Sequence, residues 1–558
     1  MDGQPFSVAG RADLLNHMAS EPLDILIIGG GITGAGIALD ASARGLRTGL
    51  VEKDDFAFGT SSRSTKLIHG GLRYLLQGEV ALVREVGRER AILHRNAPHI
   101  VHAEKMLLPI VLNGTYGKWS TSFGLWLYDR LAGVKKAERR NMLSKSQTMA
   151  LEPLLNRELV KGGGVYYEYR TDDARLTIEV LKTAAAFGAR CVNYARVTGF
   201  LYEDGNIAGV SLFDRIQPRE YKIFAKKIVN ATGPWTDEMR RMDGSLHGKR
   251  LHLTKGVHLV IPHSRLPLRQ AVYFDVPDGR MIFAIPRDAS VYIGTTDTDY
   301  SGDMDNPGVT KDDADYLLQA VNRMFPGPGI GESDITYSWS GLRPLIHEDG
   351  KSPSELSRKD EIFVSPTGLI TIAGGKLTGF RKMAERVVDL VVRHLDPGTF
   401  ERCRTDRLVL CGGNFVGEAQ DNEGEAQLAK RRFIENLQKE FAGRADLHER
   451  NIVSLVNTYG TNAKHILSVY ERLRSGFFQP KTALLVSELT YGIEREMVTN
   501  VRDFLLRRSS KVFFEGNAAV EYEPLIGHLA NTFGWSREQE NEEKEKIERI
   551  LAGATAFT

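Results

Sequence analysis

The apolar positions of this chain change their spacing several times, and each change marks an element. An unbroken apolar run, Ile25 to Ile28, ends in a glycine turn. An alanine-rich pattern of helical period follows, and then a second short apolar run that stops at Glu52. Continuous apolar runs bounded by glycine suit strands buried on both faces. Residues 206–212 and 220–229 instead alternate apolar and polar, which is the period of half-exposed antiparallel strands. Further strands are predicted at 190–194, 257–261, 271–274, 280–285, 290–294 and Leu369–Ala373, and helices at 176–188 and at about 378–394. Beyond residue 425 the period is helical throughout, ending in a charged helix over 536–551. The pattern divides the chain into a leader (1–22, with a short helical pattern from Arg11 to Met18), a body (23–395), a linker (396–424) and an all-α domain (425–558). The class is α/β: a Rossmann-like nucleotide-binding domain with an antiparallel-sheet substrate region, followed by the helical domain. Residues 105–136 interleave apolar and aromatic groups, among them Trp119, Phe123 and Trp126, with Lys118, Arg130 and Lys135. They suit either an interfacial or a buried helix.

The first glycine turn carries chemistry. Gly29 allows the tight turn, Gly31 lets backbone approach a pyrophosphate, and Gly34 lets the helix pack against the strand. The free N–H groups at the helix start face the phosphates. Glu52, 21 residues past Gly31, stands where an acid can hold ribose hydroxyls. A glycine-rich turn without a ligand has no need of that acid. A second block, Gly59 through Leu75, is dense in hydroxyls and glycines: Thr60, Ser61, Ser62, Ser64 and Thr65 precede His69, Arg73 and Tyr74. It suits a helix start that cradles a phosphate or a ring edge, although alone it would also read as a capped helix with a surface arginine.

Composition narrows the partners. Over 558 residues the formal charge is +2, which gives no reason for nucleic-acid binding. The three cysteines (Cys191, Cys403, Cys411) have neither metal nor redox-pair spacing, and their scarcity suits a reducing cytoplasm. Residues 1–20 lack the apolar core of a signal peptide, and no run of 18 apolar residues exists.

Eight segments in order resemble the FAD-dependent glycerol-3-phosphate dehydrogenases: I-G-G-G-I-T-G-A-G-I (28–37), T-S-S-R-S-T-K-L-I-H-G-G-L-R-Y-L (60–75), D-D-A-R-L (172–176), N-A-T-G-P-W-T-D (230–237), L-T-K-G-V-H-L-V-I-P (253–262), I-G-T-T-D-T-D-Y (293–300), S-G-L-R-P-L (340–345) and A-G-G-K-L-T-G-F-R-K-M-A-E (373–385). The helical tail resembles the family's C-terminal domain at 488–497 and 503–508. Gly379-Phe380 departs from the pattern, where many relatives carry Thr-Tyr.

The resemblance implies FAD rather than NAD, held by Gly29, Gly31, Gly34, Glu52, Thr60, Ser61, Ser62, Val197, Thr232, Gly233, Gly375, Lys376, Leu377 and Thr378. Lys376 in a glycine turn suits a nearby anion. The implied substrate is sn-glycerol 3-phosphate, bound by His69, Arg73, Tyr74, Arg343, Arg358 and Lys376, since arginine forks suit a phosphate dianion. His258 is the implied base and Arg343 its electrostatic helper; Thr295-Thr296-Asp297 would shape the floor. Product is dihydroxyacetone phosphate, with electrons passed to a membrane quinone by a peripheral protein on the cytoplasmic face. A homodimer is left open. Two alternatives stand beside this reading: an oxidase that uses oxygen, and a non-catalytic flavin-binding sensor. The short stretch from Asp297 to Thr310 leaves no room for the insertion that the oxidase branch carries.

Overall fold

A computed structural model describes residues 6–69, 80–112, 114, 139–347, 360–395, 398–416, 423–444, 447–474, 480–515 and 521–557. Among them lie two sheets and a set of C-terminal helices.

The first sheet is the predicted nucleotide-binding one. Leu23–Ile28 runs at its centre, parallel to Thr48–Val51 on one side and to Arg219–Asn230 on the other. Arg190–Val192 and Ile370–Ala373 extend it in parallel. Every side chain of Leu23–Ile28 is buried, as an unbroken apolar run requires when helices cover both faces. The helices Ile32–Ala43, Asp173–Ala186 and Phe380–His394 share this core, and Phe380 packs beneath Gly36. An antiparallel meander (Ala195–Glu203, Asn206–Asp214, Arg219–Asn230) branches off it.

The second sheet is mostly antiparallel. Leu251–Pro262 lies between Ser290–Gly294 and Tyr337–Ile346. His102–Val111 pairs along most of its length with Val160–Arg170 and runs parallel to Ala271–Asp275. Residues 105–111 are therefore strand, not the helix read over 105–136; residues 113 and 115–136 of that reading lie outside the described residues. Met106 to Ile110 are buried in succession, and a short apolar run has the same signature in a doubly covered strand as in a buried helix.

The helix Arg11–Ser20, in the segment read as a leader, puts Leu14, Leu15 and Met18 into the first core. Leu410, in the segment read as a linker, joins the same core. The helices from Glu423–Glu440 to Arg537–Gly553 have their own cores around Tyr459, Tyr470, Leu489 and Phe504. Among the described residues no helix is long and apolar enough to cross a membrane.

Candidate functional site

Where the central strand ends, Gly29 adopts φ +114 and turns the chain into the helix that Gly31 caps. A Cβ on Gly34 would sit 1.9 Å from the Gly29 carbonyl oxygen, so no other residue closes this turn. Glu52 arrives from the neighbouring strand. Its carboxylate accepts the Gly30 N–H at 2.7 Å and the Asp54 N–H at 2.9 Å. Burial pushes its carboxyl up to about 7, against those two donors. Two ribose hydroxyls donating to the remaining lone pairs would favour the charged form.

Around this turn lies a cavity of about 280 Å³ lined by Gly29, Gly31, Glu52, Val197, Thr232 and Gly375. Gly233, Lys376 and Leu377 also line it. Ser61 accepts the Ile32 N–H at 2.9 Å, and so caps the glycine-turn helix from outside. Thr60 faces the cavity while donating to the Leu342 carbonyl at 2.7 Å. Ser62 lines neither this cavity nor the next; it is buried and donates to Gly59 O at 3.4 Å. A glycine turn lining the cavity, the helix start that it leads into and an acid at the second strand end form a set that fits FAD.

A second cavity, about 170 Å³, shares Thr60, Ser64, Pro344, Gly375, Lys376 and Leu377 with the first. Its other walls carry Arg63, Thr65, His69, His258, Arg343 and Thr378. The second sheet carries two of these on neighbouring strands, with His258 of Leu251–Pro262 opposite Trp339 and Arg343 opposite Thr254. Three things hold the imidazole of His258: it stacks on Trp339 at 4.8 Å and 11°, its Nε2 lies 3.0 Å from the Thr65 hydroxyl, and Gly294 leaves room for it. A Cβ on Gly294 would come within 2.2 Å of the ring. Burial first, then the cations Arg343 and Lys66, hold the imidazole well below its usual 6.5. His258 is therefore neutral at physiological pH and able to accept a proton.

Arg343 is oriented by the Thr295-Thr296-Asp297 turn. It donates to Asp297 Oδ1 at 2.9 Å, to the Thr295 hydroxyl at 2.9 Å and to Thr296 O at 3.2 Å. Thr378 exchanges bonds with the backbone of His69, at 3.2 Å in both directions, and so fixes the lysine turn to the 60s segment. Arg73, Tyr74 and Arg358 lie outside the described residues.

Several lining residues escaped the sequence reading. Lys53, after the strand acid, bridges to Asp305 at 2.6 Å and stands 4.1 Å over the Trp235 ring. Trp235 itself sits in a turn whose glycine drew attention first. Thr65 was visible only as one hydroxyl among many, and Arg196 gave no signal beyond adjacency to Val197.

Comparison with known proteins agrees with this geometry. Residues 24–381 match the model of the FAD dependent oxidoreductase family, and residues 403–540 match the C-terminal domain of alpha-glycerophosphate oxidase. The aerobic glycerol-3-phosphate dehydrogenase of Bacillus subtilis is 49% identical over 559 residues, covering 99% of this chain and 99% of that protein. The enzyme of the same name from Staphylococcus haemolyticus is 47% identical, with 98% of each covered. The X-ray structure of the glycerol-3-phosphate dehydrogenase from Bacillus halodurans complexed with FAD superposes with a TM-score of 0.83 at 43% identity, over 99% of both chains. With 22% identity and a TM-score of 0.53, the L-alpha-glycerophosphate oxidase of Mycoplasma pneumoniae shares the fold over 66% of this chain. A glycine turn with its acid, a cationic second cavity and near-complete coverage by these relatives lead to one conclusion: the chain belongs to the FAD-dependent oxidoreductases and, within them, to the aerobic glycerol-3-phosphate dehydrogenase family.

Proposed function

We propose that this protein oxidises sn-glycerol 3-phosphate to dihydroxyacetone phosphate and passes the electrons to a membrane quinone. The observation that carries this reading is the common wall of the two cavities. The cavity lined by the glycine turn adjoins a smaller one that combines a neutral imidazole with Arg343 and Lys376. FAD, when bound, supplies the acceptor for the hydride that leaves C2.

The chain's own residues do the rest. His258 takes the proton of the C2 hydroxyl, and its neutrality leaves it free to do so. Arg343, held in place by Asp297, stabilises negative charge growing on that oxygen before it becomes the ketone. Lys376 and Arg343 supply charge for the phosphate, with Arg73 and Arg358 as further candidates. His69 stands on the same wall, tied to Thr378. Quinone rather than oxygen as acceptor is supported by the compact Asp297–Thr310 connection. After the two-residue strand Thr298–Asp299 it leads straight into the helix Lys311–Met324, capped by Thr310. A quinone acceptor places the protein on the inner face of the cell membrane as a peripheral protein.

Anaerobic mixing with glycerol 3-phosphate tests the reading: the yellow flavin bleaches if the reaction is as described. A flavin that stays oxidised would leave a binding module in place of an enzyme. Rapid hydrogen peroxide release in air, with no gain from a soluble quinone, would select the oxidase.

A further inference from the structure

The helical domain reaches the cofactor cavity from behind, through buried charge. Asp55, three residues past Glu52, is wholly buried. Arg508 donates to both of its oxygens, at 3.0 and 2.9 Å, and Arg507 Nε to one of them at 2.5 Å. Arg507 also bonds Asp503 at 2.8 Å, and Asp503 accepts the Tyr194 hydroxyl at 2.6 Å. The Asn193 amide donates to Asp55 at 3.2 Å and to Met497 O at 3.1 Å. Arg508 donates to Glu496 O at 2.8 Å. The Glu496 carboxylate in turn receives Lys182 at 3.0 Å and the Arg175 guanidinium.

Both segments gripped in this way line the cofactor cavity, the second where the strand Ala195–Glu203 begins. One contributes Glu52, Lys53 and Phe58, the other Ala195, Arg196 and Val197. They are also bonded to each other, Ala195 N–H to Glu52 O at 2.7 Å and Tyr194 N–H to Asp54 O at 2.8 Å. Buried ion networks add little net stability over apolar packing of the same volume. What several directional arginine bonds to one carboxylate do provide is orientation.

We propose that the segment Glu496–Arg508 is a brace that holds these two cofactor-lining segments in their binding geometry, with Arg507, Arg508 and Asp503 as positioning residues for FAD. The inference rests on the cofactor cavity and is independent of the substrate. Its test follows flavin leaving the purified full-length holoenzyme, by the gain in fluorescence on dilution, in Arg508→Met, Arg508→Lys and Tyr194→Phe. FAD should bind roughly ten- to a hundredfold more weakly in Arg508→Met, as expected for losing bonds to a buried charge. Arg508→Lys should fall between Arg508→Met and the parent, and Tyr194→Phe should weaken binding severalfold. The KM for glycerol 3-phosphate at saturating FAD should stay within about twofold. A folded Arg508→Met with parental FAD retention overturns the brace, even if its melting temperature falls, because the network would then be only structural. If Arg508→Met does not fold, Tyr194→Phe decides, and parental retention there overturns it equally.

Discussion

The two cavities are built by opposite means. The cofactor cavity is organised around backbone, a glycine turn and the helix start it leads into, with Glu52 holding two amides and side chains such as Phe58 and Trp235 completing the lining. The substrate cavity is a matter of side chains, brought from the 60s, the 250s, the 340s and the 370s around one small space. Each cavity also holds a titratable group that burial drives toward neutrality: Glu52 upward in the first, His258 downward in the second. A backbone site fails as a whole when its turn is disturbed. A side-chain site loses one function at a time.

The largest effect should come from the backbone site. In Gly34→Ala the new methyl would overlap the Gly29 carbonyl oxygen at 1.9 Å. Overpacking against backbone costs on the order of 1–3 kcal/mol or more, and here the turn itself must open. The purified variant should be colourless. A yellow Gly34→Ala protein with parental flavin content would break the contrast between the two cavities.

His258→Asn should come next. Loss of a general base costs roughly 10²–10⁴-fold, read as the rate of flavin reduction without oxygen, with flavin content unchanged. The pH profile sharpens this. The lowered pKa keeps the parent's imidazole unprotonated, so reduction at saturating substrate should stay level as pH falls through 6.5 and decline only below it. A decline centred on 6.5 would mean that the imidazole is not held down by its burial. Equal rates in parent and variant would pass the proton-removing role to Arg343.

This contrast also sets what was legible in the sequence. Strand, glycine turn, helix and acid are contiguous, so one segment of the chain describes most of the cofactor site. The substrate site has no such segment. His258 and Arg343 are 85 residues apart and meet only because Leu251–Pro262 pairs with Tyr337–Ile346, a strand whose Gly341 and Pro344 blur its alternation. Val160–Arg170 was hidden similarly, because Gly162, Gly163 and Gly164 supply no apolar signal although the strand spans the sheet. Only the motif resemblance joined these pieces in advance. The buried pair Lys66–Asp173, at 2.5 Å, could not be read at all, since lysine and aspartate normally mark surface.

Smaller effects should follow at the phosphate cations. Arg343→Ala and Lys376→Ala should each lower kcat/KM by roughly ten- to a hundredfold, the cost of a lost charged hydrogen bond, with FAD retained. Arg343→Ala should also lower kcat, since in the proposed reaction it stabilises the oxygen that becomes the ketone, whereas Lys376→Ala should act mainly on KM. Near-parental efficiency in both would remove the phosphate from this cavity.

The smallest effect returns to Glu52, whose pKa burial shifts upward where that of His258 is shifted downward. Without FAD the carboxyl is raised to about 7, so it is partly protonated at neutral pH. Ribose hydroxyls donate to the charged form, which lowers the pKa on binding, and binding therefore releases a proton. The affinity of deflavinated protein for FAD should then rise with pH below about 7, by at most about tenfold per pH unit, and level off above it. In Glu52→Gln, which neither titrates nor changes size much, the slope should vanish. Its affinity should lie below the parent's at pH 8 and approach it near pH 6. Titrating FAD into the two proteins at pH 6, 7 and 8 measures this directly. Parallel curves would show that the acid holds only Gly30 and Asp54 and makes no contact with the ribose.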